Sequence, residues 1–326
     1  MISIKHLSRV FIPLITLIIS CAEPEDKKKT EEMPAKTKPD IPVPDFNADS
    51  AYFFIQQQVN FGPRVPNTAA HDSCAKMLIR KLKSYTTDII VQEGKVTVYN
   101  GDELNIKNII ARFNPEINNR ILLCAHWDTR PFADQDKVRP NEPFDGANDG
   151  ASGVGVLLET ARQLVITKPF IGVDIILFDA EDYGNSNTRD SYCLGSQYWA
   201  KNPPIPNYYP KYGILLDMVG ATRATFTMAG YSMQYAPSVV KKVWDTAAKL
   251  GYSDHFRYKK TSPMTDDHLY INTMANIPCI DILQYDPSTK STFGSYWHTH
   301  NDNMDIIDKN TLKAVGQTLL EVIYSE

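Results

Sequence analysis

Val173-Asp174-Ile175-Ile176-Leu177-Phe178 runs directly into Asp179-Ala180-Glu181-Asp182, and this switch from apolar to acidic decides the fold. A nearly continuous β-rich run of that length reads as a strand covered on both faces. The same event recurs along the chain. Residues 121–125 are followed by His126-Trp127-Asp128, residues 212–216 by Asp217, and residues 277–283 by a loop leading to Trp297-His298, while 106–112 is a fifth β-rich run. Helical patterns lie between them. Ser152 reads as the cap of a helix with Val154, Leu157, Leu158, Ala161 and Leu164 on one side. Val239, Val240, Val243, Trp244, Ala247 and Leu250 repeat that spacing before Gly251, and segments 68–85 and 311–324 are two further amphipathic candidates. The alternation predicts an α/β three-layer sandwich, a mostly parallel twisted central sheet with helices on both faces. In such sheets ligands bind in the crevice beyond the carboxyl ends of the strands, where these acids and histidines fall.

The 326 residues are 43 % hydrophobic and 22 % charged, with a formal net charge of −4. That is ordinary globular usage able to bury a core, and it argues against a nucleic-acid partner, which would need a basic face. Residues 1–20 read as a signal peptide, with Lys5 and Arg9 ahead of the apolar run 10–19. The segment ends Ile18-Ile19-Ser20-Cys21, which resembles the lipobox of bacterial lipoproteins. The resemblance implies a lipidated Cys21 and a membrane-anchored protein of the bacterial cell envelope, periplasmic or surface-facing. Removing 1–20 takes away two basic residues and no acid, leaving −6. Residues 21–45, polar and carrying Pro24, Pro34, Pro39, Pro42 and Pro44, read as a flexible tether, and 46–326 as a single catalytic domain. Cys74, Cys124, Cys193 and Cys279 lack the close pair spacing of structural zinc sites. Three disulfide pairings are open to them, but Cys124 and Cys279 sit in strand-like runs and read equally as buried free thiols.

Imidazole plus carboxylates suits zinc, whose catalytic sites keep three protein ligands and an open position. Asp149, Asp182 and His298 form a minimal set, and Glu181, one residue from a ligand, is placed to act as a base and not as a chelator. Singly, each has an ordinary structural explanation: Asp149 as a helix-entry residue, His298 as a hydrogen-bonder, Glu181-Asp182 as a solvated pair. Their shared position after strands is what those explanations leave out. His300 reads as a loop hydrogen-bonder, His268 as orienting the preceding acids, and Trp199 and Trp244 as core. Trp127 fits core or pocket equally, and so do Phe293 and Tyr296 as pocket-lining residues or not.

Phe144-Asp145-Gly146-Ala147-Asn148-Asp149-Gly150-Ala151-Ser152-Gly153, His126-x-Asp128, Glu181-Asp182 and Leu216-Asp217-Met218 resemble the M28 zinc aminopeptidase superfamily. Within it the chain is most similar to the animal-type glutaminyl cyclases, glutaminyl-peptide cyclotransferases also found in some bacteria. Trp297 before His298, Asp266-Asp267-His268 and the stretch from Asp190 to Ser196 carry this narrower likeness. The resemblance implies one zinc ion on Asp149, Asp182 and His298, Glu181 as proton shuttle, Asp217 and Asp266 as its hydrogen-bonding partners, and Trp297 as a wall of the substrate pocket. It implies a zinc-dependent acyltransferase that converts the N-terminal glutamine of peptides or proteins to pyroglutamate with release of ammonia. Asp182 departs from the animal pattern, which has Glu. The rival reading is a di-zinc aminopeptidase, with His126 and Asp217 also binding metal and Asp149 bridging. A tethered lipoprotein that only binds peptides is a third.

Overall fold

The computed structural model describes residues 41–326 and, before them, Pro13 alone; the signal, Cys21 and tether expectations up to residue 40 lie outside the described residues. Two helices, α1 (Ala48–Val59) and α2 (Ala69–Lys83), precede the strands β1 (Ile89–Thr97), β2 (Glu103–Phe113) and β3 (Arg120–His126). Then come α3 (Ala151–Ile166), β4 (Gly172–Phe178), α4 (Leu194–Lys201), β5 (Gly213–Asp217), β6 (Phe226–Met228), α5 (Gly230–Tyr235) and α6 (Pro237–Lys249). β7 (Phe256–Lys260), α7 (Asp267–Thr273), β8 (Cys279–Leu283) and α8 (Lys309–Tyr324) complete the order. Among the described residues no helix is long and apolar enough to cross a membrane.

The central sheet runs β1-β2-β4-β3-β5-β8. Its β4, β3, β5 and β8 are mutually parallel, while β1 and β2 add antiparallel to one side. The expected sandwich is therefore present with a mixed sheet. Along β3, Ile121, Leu123 and Ala125 join the cluster shared with α1, α3, α6 and α8, whereas Leu122 and Cys124 join the one containing Trp199 of α4 and Ile271 of α7. Side chains alternate across a strand, so a run apolar at every position serves two cores at once.

Three details correct or extend the sequence reading. Ser152 is not the cap of α3: the position before the helix is Gly150 with φ +90°, and no side chain caps it. The Ser152 hydroxyl instead donates to Asn148 O (2.6 Å) and accepts from Val219 N–H (2.9 Å), tying the helix start to the loop after β5. The four described cysteines are free and buried, so no disulfide pairing applies to them. The last residues of the expected tether are held: Gln317 donates to Pro44 O (3.2 Å) and Lys313 pairs with Asp45 (2.5 Å), both from α8.

Candidate active site

Three of the four parallel strands deliver an acid or histidine to the crevice at their carboxyl ends, and the loop after the fourth, β8, leads to His298. His126 closes β3, Glu181 and Asp182 follow β4, and Asp217 closes β5. The chain must turn sharply as it leaves the sheet, and Ala180 (φ +50°), Met218 (φ +50°) and His298 (φ +54°) all adopt left-handed backbone there, a conformation with a steric cost for non-glycine residues. A cavity of about 600 Å³ opens over this rim, lined by Asp149, Glu181, Asp182, Asp217, Asp266, Trp297 and His298 among others. All the sequence-predicted site residues within the described chain therefore share one pocket.

Their donor atoms separate into groups. Asp149, Asp182 and His298 bring one ligand atom each within 4.8 Å of one another; so do His126, Asp149 and Asp217, and so do Glu181, Cys193 and Asp266. The neighbours Glu181 and Asp182 thus face different groups. Asp217 bonds His126 Nε2 (3.2 Å), which also lies 3.1 Å from Asp149 Oδ1.

Residues the sequence reading did not single out hold this arrangement. Asp128 accepts the backbone N–H groups of Glu181 (3.0 Å) and Asp182 (3.3 Å). Asp302 accepts those of Asn148 (2.7 Å) and Asp149 (3.0 Å). Asp134 accepts from His298 Nδ1 (2.8 Å), leaving Nε2 to face Asp182 Oδ2 (3.4 Å) and Asp149 Oδ2 (3.6 Å). Arg130 donates to Asp134 (2.8 Å) and to the carbonyl of Asp182 (3.0 Å), joining the two loops. The Cys193 thiol donates to Glu181 Oε1 (3.1 Å). Asp128 and Cys193 stand inside quoted stretches of the sequence, whereas Asp134 and Asp302 reach their partners across separations of more than 150 residues.

The aromatic expectations resolve in the same way. Trp297 stacks on His298 with ring centroids 3.6 Å apart, and Phe293 packs on Trp297 at 4.9 Å and lines the cavity. Tyr296 turns away and bonds Gln284. Trp127 is core: fully buried, stacked on His71 at 4.3 Å, with its indole N–H on Lys107 O (3.1 Å). Trp199 and Trp244 are buried as expected, and His300 makes its loop hydrogen bond with Asp136 (2.9 Å). His268 departs from expectation, because neither ring nitrogen has a hydrogen-bond partner and the imidazole does not orient the preceding acids through one.

The electrostatics are those of crowded, buried acids. Burial first, then repulsion from Asp182, Asp266 and Asp267, pushes Glu181 well above the usual carboxyl range, against the pull of His126. Burial opposes the His298 imidazolium, but Asp182, Asp134 and Asp149 outweigh it and raise the group to about 9. Asp182 Oδ2 is buried without a hydrogen-bond partner. An orphaned carboxylate oxygen beside a second carboxylate and an imidazole with its far nitrogen already tied is a donor set that fits a divalent cation such as zinc.

Residues 108–323 match the model of peptidase family M28. A Zn-dependent exopeptidase from Parabacteroides distasonis is 53 % identical, with a TM-score of 0.86 over 87 % of this chain and 100 % of its own. Tannerella forsythia glutaminyl cyclase is 52 % identical, with a TM-score of 0.85 over the same shares. Among curated relatives, the glutaminyl-peptide cyclotransferase of Gloydius blomhoffii is 25 % identical over 65 % of this chain, which spans 63 % of that relative's length. The match across two thirds of the chain and the close likeness of whole solved structures agree with the crevice just described: the chain belongs to peptidase family M28, in the branch that holds bacterial glutaminyl cyclases.

Proposed function

We propose that the protein is a glutaminyl-peptide cyclotransferase that closes the N-terminal glutamine of peptides or proteins to pyroglutamate and releases ammonia. The observation that carries this reading is the division of the adjacent acids: Asp182 stands with Asp149 and His298, while Glu181 stands with Cys193 and Asp266. Asp149, Asp182 and His298 would hold a single zinc ion, which when bound supplies a Lewis acid for the side-chain amide oxygen. The substrate brings its own nucleophile, the α-amine, whose ordinary pKa of about 7.7–8.0 leaves a neutral fraction near neutral pH. Glu181, free of the ligand set, accepts a proton from the attacking amine and returns it to the leaving nitrogen. Its raised proton affinity suits both halves of that exchange. Asp266 stands beside Glu181, and Asp217 holds His126 against the Asp149 side of the pocket. Trp297, fixed against His298, gives the reacting amide a flat apolar wall that excludes water.

One group of residues favours the di-zinc aminopeptidase as a second reading, since His126, Asp149 and Asp217 also converge. There His126 Nε2 lies 3.1 Å from Asp149 Oδ1 and 3.2 Å from Asp217 Oδ1, so the product and the metal count, and not the spacing, separate the two readings. A glutamine-terminated peptide incubated with the protein, with and without chelator, separates the two. Loss of one ammonia by mass and one zinc per chain support the cyclase; hydrolytic release of the first residue with two zinc ions supports the peptidase. We further propose that Cys21 carries a lipid anchor to the bacterial envelope membrane, the net negative charge offering no electrostatic attraction to anionic lipid. Cys21→Ser is expected to abolish membrane fractionation, and persistent membrane association of that variant would exclude the anchor.

A further inference from the structure

The Glu181 carboxyl is the proton carrier of the proposed reaction, and one residue grips Glu181 by both its backbone and its side chain. Cys193, the position before α4, donates its backbone N–H to Glu181 O (2.8 Å) and its thiol to Glu181 Oε1 (3.1 Å). The next N–H, of Leu194, goes to Ala180 O (3.0 Å). Residues 180–181 and 193–194 are thereby laced together, although Glu181 and Cys193 stand 12 positions apart in the chain. Among the described residues the thiol is the only hydrogen-bond donor to the Glu181 side chain; His126, Asp182, Asp266 and Asp267 act on it through charge.

Cys193 is itself firmly held. It is fully buried, its backbone is left-handed (φ +58°), and its carbonyl accepts from the Ser196 hydroxyl (3.1 Å) and the Gln197 N–H (3.1 Å), which closes the first turn of α4. A Cβ at Gly195 would run into Asp179 O, so the start of α4 is seated directly against the end of β4. Burial, with the Glu181 charge added to it, pushes the Cys193 thiol well above its ordinary range, and the sulfur keeps its proton as a donor. An S–H is a weak donor, but a neutral one, and a protonated carboxyl still offers an oxygen to accept it. The contact therefore holds Glu181 in one direction both before and after it takes a proton, whereas a lysine or arginine in that place would favour the charged carboxylate alone. We infer that Cys193 is a positioning residue, whose thiol aims the Glu181 carboxyl into the pocket and keeps it apart from Asp149, Asp182 and His298.

The consequence for turnover rests on the function proposed above; the thiol contact does not. The test uses the full zinc-loaded chain, comparing wild type with Cys193→Ser, Cys193→Ala and Glu181→Ala. It reads the infrared S–H stretch, zinc content, melting, and kcat and KM on a glutamine-terminated peptide. The difference between wild type and Cys193→Ala is expected to show the band of a hydrogen-bonded thiol, and in Glu181→Ala that band is expected to move toward the position of a free one. Cys193→Ser, whose hydroxyl restores a donor, is expected to keep kcat within about threefold, whereas Cys193→Ala loses about tenfold at unchanged KM and zinc content, the scale of one hydrogen bond to a charged group. A band that stays in place in Glu181→Ala overturns the inference. So does an Ala variant as fast as wild type, and so does a Ser variant as slow as the Ala variant with zinc and melting unaltered. Loss of bound metal in both Cys193 variants also overturns it, since Glu181, Cys193 and Asp266 would then be a cation site. If the Cys193 variants fail to fold, the band shift between wild type and Glu181→Ala decides alone. A wild-type protein that shows the shift but releases no ammonia would defeat the cyclase reading and leave the thiol contact established.

Discussion

Glu181 and Asp182 are chemically similar and adjacent in sequence, yet the backbone turns them toward different groups of side chains. The left-handed Ala180 and the two N–H groups taken by Asp128 set the direction in which each side chain leaves. Glu181→Gln keeps the size and removes the proton acceptor, so zinc content is expected to hold while kcat falls by about 10²–10⁴-fold; metal analysis beside steady-state kinetics checks both halves. Asp134 acts one step further out. Replacing it with Ala frees His298 Nδ1, and zinc affinity is expected to drop by about 10–100-fold in a competition titration. The proposed ligand triad was readable because each member follows a strand or opens a helix. Asp134 was not, since nothing in a chain position 164 residues before His298 announces a contact with it.

Among the elements, the joint between β3 and α3 is closely built. Gly150 has φ +90°, and a Cβ there would stand 2.8 Å from Asp128 O and 3.0 Å from a His126 ring carbon. Gly150→Ala is therefore expected to destabilise the fold by about 1–3 kcal/mol, from backbone strain and displaced neighbours together, as read from the denaturation midpoint. The sequence marks this turn as a helix entry but assigns its cap to Ser152, because a serine before an apolar stripe is the ordinary signal. The hydroxyl bonds Asn148 O and Val219 N–H instead. Strands apolar at every position were legible for a physical reason: burial on both faces removes the polar alternation that makes an edge strand ambiguous. β1, with polar or charged Gln92, Glu93 and Lys95 within it, and the short β6 and β7 gave no comparable signal.

Taken whole, the molecule concentrates acids around one crevice, and its stability then depends on what neutralises them. In metal-free protein the His298 imidazolium supplies part of that charge. Its folded pKa of about 9 stands above the ordinary histidine value of 6.5, so its stabilising contribution is complete below 6.5 and is lost as pH rises through about 9. Chelated protein is expected to lose melting temperature across that window, and zinc-loaded protein, whose His298 must already be deprotonated, is expected not to show this loss. Zinc at 100 times its dissociation constant is expected to add about 2.7 kcal/mol to the loaded form, measurable as a thermal shift reversed by chelator. A flat pH response of the stripped protein would contradict the charge arrangement described.

The loops bearing Asp149, Asp182 and His298 are fastened by Asp302, Asp128 and the Arg130–Asp134 pair through contacts internal to the chain. The receptacle is thus assembled by the polypeptide itself, like a socket machined before the plug arrives. Swapping one transition metal for another becomes an exchange at ambient temperature without denaturant, which makes cobalt replacement a direct route to a visible-light spectrum of the coordination sphere.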